Sequence, residues 1–160
     1  MTRTFHFISI CAGLVALAID QTSKFFAIGK IPEYGIFLVN ERWLSIQLAL
    51  TANPDLAFGL SAGWPVKYGL IFVTLAIICA LAKRLIAAQN QTLVITVSVL
   101  AGAAVSNIFD RVLRGGVIDF FSISIYNLHW PTFNLADVFI TVTAILLIIK
   151  WPRTSVPGKP

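Results

Sequence analysis

The sequence predicts an integral membrane protein that is mainly α-helical and has four transmembrane helices. Of its 160 residues, 58% are hydrophobic and 12% are charged, whereas about 25% of the residues in an ordinary soluble domain are charged. A small soluble domain needs polar side chains over much of its surface, and 12 basic and 7 acidic residues are too few for that. The composition also excludes an intrinsically disordered chain.

Four apolar stretches predict the membrane spans, at about residues 5–26, 65–82, 92–109 and 133–149. About 20 helical residues cross the hydrocarbon layer, and a backbone in lipid must satisfy its own hydrogen bonds, so each stretch is predicted to be a helix. The chain then forms one membrane domain, residues 1–160, with segments of about 27–64 and 110–132 on the outer side. A cleaved signal sequence around Ala16-Leu17-Ala18 is an alternative for the first span, but the apolar pattern resumes after Asp20.

Charge placement predicts the orientation of these spans. With both termini inside, the inner segments hold six basic and no acidic residues, namely Arg3, Lys83, Arg84, Lys150, Arg153 and Lys159. All seven acidic residues then lie on or near the outer face, which agrees with the positive-inside rule. Any carboxylate chemistry is therefore expected at the outer boundary of the membrane.

Two features of the outer segments predict local structure. Apolar and polar residues alternate from Trp43 to Leu48, which is typical of a half-exposed β-strand. Asp119 and Asp137 flank the connection between the third and fourth spans, and a hairpin-like connection would bring them together. Two neighbouring carboxylates share one proton, so one can activate a water while the other donates a hydrogen bond to a carbonyl.

Each of these carboxylates also has a structural interpretation. Asp119 can be a turn residue that accepts hydrogen bonds from backbone N–H groups. Asn134 can cap the fourth helix, with Asp137 offsetting the helix dipole from the first turn.

Two other groups of polar residues lie at span ends. Asp20 and Lys24 are spaced to pair on one helix face, either as an ion pair that snorkels to the interface or as the rim of an active site. Asn107, Asp110 and Arg111 share the outer end of the third span. They either close the helix, with Arg111 paired to Asp110, or position a catalytic carboxylate.

Other function classes find little support in the sequence. His6 and His129 lie far apart along the chain, whereas zinc sites need several His or Cys ligands, so we expect no metal or cofactor. Cys11 and Cys79 lie in apolar runs and are expected to be inert thiols. The basic residues do not cluster, so the net charge of +5 does not predict a nucleic-acid partner.

Four stretches of the sequence resemble the lipoprotein signal peptidase (signal peptidase II) family. They are Asp20-Gln21-Thr22-Ser23-Lys24; Asn53 with Ala57-Phe58-Gly59; Asn107-Ile108-Phe109-Asp110-Arg111 with Gly116-Val117-Ile118-Asp119-Phe120; and Phe133-Asn134-Leu135-Ala136-Asp137.

The resemblance implies a membrane aspartic endopeptidase with Asp119 and Asp137 as its catalytic pair. Its substrates would be diacylglyceryl-modified prolipoproteins, cleaved just before the lipidated cysteine. It also implies a bacterial inner-membrane location, with a small β-structured periplasmic platform and a mobile periplasmic segment from residues 27–64. We further expect contact with membrane lipid and a monomer. The site-supporting residues would be Asp20, Lys24, Asn53, Asn107, Asp110, Arg111 and Asn134.

The residues alone leave two alternative functions possible, one in transport and one as a structural protein. A small proton-coupled transporter would use Asp20, Asp110, Asp119 and Asp137 as a relay, although all four acids lie near one boundary and transport needs access from both sides. A catalytically inactive membrane scaffold would tolerate conservative changes at Asp119 and Asp137.

Overall fold

The computed structural model describes residues 3–53, 64–87 and 90–150. These residues form four helices and four strands: α1 (Arg3–Lys30), β1 (Ile36–Asn40), β2 (Leu44–Asn53), α2 (Trp64–Ala87), α3 (Gln91–Arg114), β3 (Val117–Ile125), β4 (Leu128–Phe133) and α4 (Leu135–Lys150). Residues 54–63 of the segment expected to be mobile, with Ala57-Phe58-Gly59 among them, lie outside the described residues.

The fold is mainly helical with one small antiparallel sheet, as the sequence predicts. Within the described residues, two helical segments are long and apolar enough to cross a membrane, Phe5–Lys30 and Gln91–Arg114. A shorter apolar helical segment covers Ile71–Lys83. Four membrane-spanning helices therefore stay a prediction.

All four helices differ in extent from the predicted spans, and two of these differences lie near Asp119 and Asp137. Helix α3 continues to Arg114, five residues beyond the predicted end at 109, because Asp110 is buried in an ion pair and does not interrupt the helix. Gly115, with φ of 77°, then ends it in the left-handed conformation that favours glycine. Helix α4 begins at Leu135 instead of 133, because Phe133 ends strand β4 and Asn134 caps the helix through the N–H of Asp137, at 3.0 Å.

The sheet has the strand order β1-β2-β3-β4, with every neighbouring pair antiparallel. Strand β2 covers the alternating stretch after Trp43, so the predicted strand is confirmed. Strands β3 and β4 form the expected hairpin between α3 and α4. The first four residues of β3, Val117–Phe120, are all buried, so the hairpin places Asp119 in the interior of the protein.

Helix α3 is central, because it packs against each of the other three helices. An apolar core forms towards the amino end of α3, from Phe5, Leu93, Val94, Val97 and Leu147. Further along, α1 and α3 approach closely at Gly13 and Gly102, where a Cβ atom on Gly102 would lie 2.0 Å from the backbone oxygen of Gly13. Small residues allow this kind of close helix crossing in membranes.

Replacing Gly102 with alanine is therefore expected to destabilise the protein by about 1–3 kcal/mol, as overpacking does elsewhere. Gly29→Ala is the matched control on α1, because nothing lies within 4 Å of the added methyl group. We expect this control to be neutral or to stabilise by about 0.5–1 kcal/mol. Thermal unfolding in detergent measures both, and equal melting temperatures for the two variants would contradict the close crossing.

Candidate active site

Asp119 lies on strand β3 and is buried, with only 3% of its surface exposed. The side-chain amide of Asn134 donates to its Oδ1 at 2.6 Å, and the amide of Asn53, at the end of β2, donates to its Oδ2 at 3.4 Å. Both carboxylate oxygens therefore accept a hydrogen bond from an amide. These contacts contradict the interpretation of Asp119 as a turn residue that accepts hydrogen bonds from backbone N–H groups, because both of the donors are side-chain amides.

Asp137 lies in the first turn of α4, where the helix dipole favours a negative charge. Its Oδ1 accepts a hydrogen bond from the side-chain amide of Asn107 at 2.9 Å, and its Oδ2 accepts one from the backbone N–H of Asn134 at 3.2 Å. Helices α3 and α4 thus hold this carboxylate from two sides.

Asn134 joins the two carboxylates. Its side chain donates to Asp119 and its backbone N–H donates to Asp137, so one residue at the junction of β4 and α4 contacts both. Asp119 and Asp137 line the same cavity of about 280 Å³, together with Asn53, Asn107, Arg111 and Phe133. Apart from Phe133, these residues were expected at one site from the sequence, and the fold brings them together.

A buried ionic cluster lies directly behind this cavity. The Nζ atom of Lys24 is 2.6 Å from Oδ2 of Asp20 and 2.7 Å from Oδ2 of Asp110, and all three side chains are fully buried. The interpretation of Asp20 and Lys24 as a snorkelling pair at the interface is therefore wrong. Asp20 also accepts a hydrogen bond from the backbone N–H of Ala136 at 2.8 Å, which ties α1 to the start of α4.

The alternative in which Arg111 forms an ion pair with Asp110 is not what the contacts show. Arg114, one turn further along α3, forms the ion pair with Asp110. Arg111 instead donates to the backbone oxygen of Asn107 at 3.2 Å and lines the cavity. Its charge interacts with the charges of Asp137 and Asp119, so it is the cation of the cavity itself.

Burial and the neighbouring charge of Asp137 raise the pKa of Asp119 from its ordinary value of 3.8 to about 6. The hydrogen bonds from Asn134 and Asn53 act in the opposite direction, because they stabilise the ionised carboxylate. Asp119 can therefore hold or release a proton close to neutral pH, as a general acid or base must.

The donor set fits acid–base chemistry better than metal binding. Within residues 3–53, 64–87 and 90–150, no three His, Cys, Asp or Glu side chains are grouped so that they could hold a metal ion. The hydrogen-bond donors to the two carboxylates are side-chain and backbone amides, and the guanidinium of Arg111 lines the same cavity.

Comparison with known proteins assigns the chain to a family. The family model described as signal peptidase (SPase) II matches residues 12–152. The chain belongs to the signal peptidase II family. A lipoprotein signal peptidase of Chlorobium phaeobacteroides (strain BS1) is 36% identical over 156 residues, with 90% of this chain and 94% of that protein covered. The corresponding protein of Syntrophus aciditrophicus (strain SB) is 32% identical over 145 residues, with 88% of each chain covered.

Solved structures agree with the family assignment. Two bacterial membrane enzymes superimpose with TM-scores of 0.72 and 0.71, at 29% and 30% sequence identity. Each alignment covers 88% of this chain, and 85% or 90% of the solved one. The fold of this signal peptidase II family member is therefore shared with membrane enzymes over most of its length.

Sequence reasoning missed three residues that hold the site. Gln21 donates to Ser106 Oγ at 2.9 Å and to Asp110 Oδ1 at 3.0 Å, and Ser106 donates to Asp20 Oδ2 at 2.7 Å. Arg114 is the third. A spacing signal exists for Arg114, which follows Asp110 by one helical turn, but Gln21 and Ser106 meet only because α1 packs on α3.

The raised pKa of Asp119 predicts how folding stability depends on pH. Between pH 3.8 and about 6 the folded protein binds more protons than the unfolded chain, so stability falls as pH rises through this window. Asp119→Asn removes the titrating group and is expected to lose less stability over the same range. Melting temperatures in detergent from about pH 4 to about pH 7 measure this, and parallel curves for the two proteins would contradict it.

Proposed function

We propose that this protein is a membrane aspartic endopeptidase that removes the signal peptide from diacylglyceryl-modified prolipoproteins. Cleavage would occur just before the lipidated cysteine, with Asp119 and Asp137 as the catalytic pair. The observation that carries the proposal is the junction at Asn134, which holds both carboxylates at one cavity in a chain of the signal peptidase II family.

The proposed reaction starts with one proton on the pair. The ionised carboxylate takes a proton from a water as its oxygen attacks the scissile carbonyl carbon, and the protonated carboxyl donates its proton to the carbonyl oxygen. When the C–N bond breaks, the pair returns one proton to the leaving amine of the lipidated cysteine and takes one from a hydroxyl of the intermediate. The products are a signal peptide with a new carboxyl terminus and a lipidated chain with a free amine.

The supporting residues have separate roles in this proposal. Asn53, Asn107 and Asn134 donate to the carboxylates, while Arg111 supplies positive charge to the cavity wall. Asp20, Lys24 and Asp110 form a buried ion cluster, and Lys24 of this cluster donates a hydrogen bond to Asn107.

The location in the cell follows the same proposal. Four helices would span the bacterial inner membrane, with both termini in the cytoplasm and the sheet and catalytic pair on the periplasmic side. The charge distribution along the chain supports this orientation. The enzyme would act as a monomer in contact with membrane lipid, which would deliver the lipidated substrate.

The contacts count against a proton-coupled transporter. Asp20 and Asp110 are fully buried and held in ion pairs with Lys24, so neither is open to the water from which a relay would take protons. Towards the other end of the helices, the described core consists of Phe5, Leu93, Val94, Val97 and Leu147. An inactive scaffold would have no need for a buried and a half-buried carboxylate at one cavity.

Asp119→Asn and Asp137→Asn are each expected to abolish cleavage of a lipidated precursor. Each change keeps the size of the side chain but removes a group that can exchange a proton. Glu41→Gln is the matched control, because Glu41 is exposed at the turn between β1 and β2. We expect this variant to cleave at the wild-type rate. Turnover by purified protein in detergent with added lipid measures all three.

The same assay defines the result that would remove a residue from the pair. Near-wild-type turnover by either asparagine variant, with an unchanged melting temperature, would exclude that aspartate from the chemistry. An inactive wild-type protein on lipidated precursors would exclude the proposed function as a whole.

Arg111→Lys is expected to reduce turnover strongly, by up to about 100-fold if the cavity groups shift by about 1 Å. A guanidinium is planar and donates two hydrogen bonds in fixed directions, whereas an ammonium is a compact charge that cannot copy this geometry. Arg42→Lys is the control, because Arg42 is exposed at the turn between β1 and β2. Wild-type turnover by Arg111→Lys would show that Arg111 acts only as a charge.

A further inference from the structure

The buried ammonium of Lys24 has a fixed set of partners. An ammonium group carries three N–H donors and no acceptor. Three acceptors lie within hydrogen-bond distance of Nζ: Asp20 Oδ2 at 2.6 Å, Asp110 Oδ2 at 2.7 Å and Asn107 Oδ1 at 2.9 Å. Because Lys24 is fully buried, each donor has one partner within the protein.

This set determines the orientation of the Asn107 side chain. The oxygen and nitrogen of an asparagine amide are similar in shape, and their assignment follows from the hydrogen bonds they make. Lys24 can only donate, so the Asn107 atom that faces it must be the oxygen. The amide nitrogen of Asn107 must then face Asp137, to which it donates at 2.9 Å.

We propose that Lys24 is a positioning residue for the catalytic pair, and that it acts by fixing the side-chain amide of Asn107 so that its N–H holds the carboxylate of Asp137. With the opposite orientation, the amide oxygen would face a carboxylate oxygen and repel it, and a carboxylate in place of the amide would do so more strongly. The same Asn107 oxygen also accepts a hydrogen bond from Asn134 Nδ2 at 3.2 Å, and that nitrogen donates to Asp119. Lys24 is thus connected to both carboxylates through two amides.

This inference rests on the proposed peptidase function. Its test distinguishes the effect of Lys24 on Asn107 from the contribution of Lys24 to the charge balance of the ion cluster. Asp20→Asn serves as the background, because it retains an oxygen for the N–H of Ala136. Adding Lys24→Met to that background leaves the remaining carboxylate, Asp110, paired with Arg114. The background alone carries one excess positive charge, and removing the ammonium returns the cluster to the zero net charge that it has in the wild-type protein.

A double-mutant cycle in this background combines Lys24→Met with Asn107→Ala. With Asn107 present, Lys24→Met is expected to lower kcat by about 10- to 100-fold, while KM for the lipidated precursor stays nearly constant. With Asn107→Ala already made, the same change should lower kcat by much less, because the connecting amide is gone. A stabilising role alone would lower kcat by the same factor in both cases, which would overturn the proposal, as would an unchanged kcat.

A second variant decides the matter if the lysine variants do not fold. Asn107→Asp keeps an oxygen for Lys24 but has no N–H for Asp137, so we expect kcat to fall by at least about 10-fold in the folded protein. Wild-type kcat in Asn107→Asp would overturn the proposal. If the wild-type protein does not cleave lipidated precursors, the proposed function fails; if it cleaves them but the cycle is additive, only the role of Lys24 fails.

Discussion

Lys24 is a charged group with no access to water, and its burial is possible only because two carboxylates and an amide oxygen surround it. Removing one partner from a buried ion pair costs about 3–5 kcal/mol elsewhere, because the other charge is left uncompensated. The cluster therefore sets the relative positions of α1 and α3. Through the hydrogen bond from Ala136 to Asp20, it also sets the start of α4.

The rest of the molecule divides around this cluster. On one side the helices meet through apolar side chains and through the close crossing at Gly13 and Gly102. On the other side the β3–β4 hairpin returns the chain from α3 to α4 and carries Asp119 inwards. The apolar contacts fix the helix packing, and the polar contacts fix the directions of individual side chains.

Much of this arrangement follows from sequence patterns, and the exceptions have physical reasons. The apolar stretches, the alternating strand and a connection that brings Asp119 to Asp137 were predictable, because each depends on local periodicity or chain order. The pairing of Asp110 with Arg114 was also accessible, since residues four apart share a helix face whereas adjacent residues such as Arg111 do not. The burial of Lys24 was not, because the spacing to Asp20 is the same in an exposed pair and the distinction depends on Asp110 from another helix.

The charges around the cavity support a pair that shares one proton. Among the described residues, four carboxylates belong to the cluster and the cavity, namely Asp20, Asp110, Asp119 and Asp137, and three cations accompany them, Lys24, Arg111 and Arg114. Surroundings of low dielectric disfavour an uncompensated charge, so one proton on the carboxylates makes the group neutral. Asp20 and Asp110 are each held by Lys24, whereas burial and Asp137 raise the pKa of Asp119 to about 6. Below about pH 6 Asp119 therefore carries a proton, which gives the pair the protonation state that the proposed reaction requires.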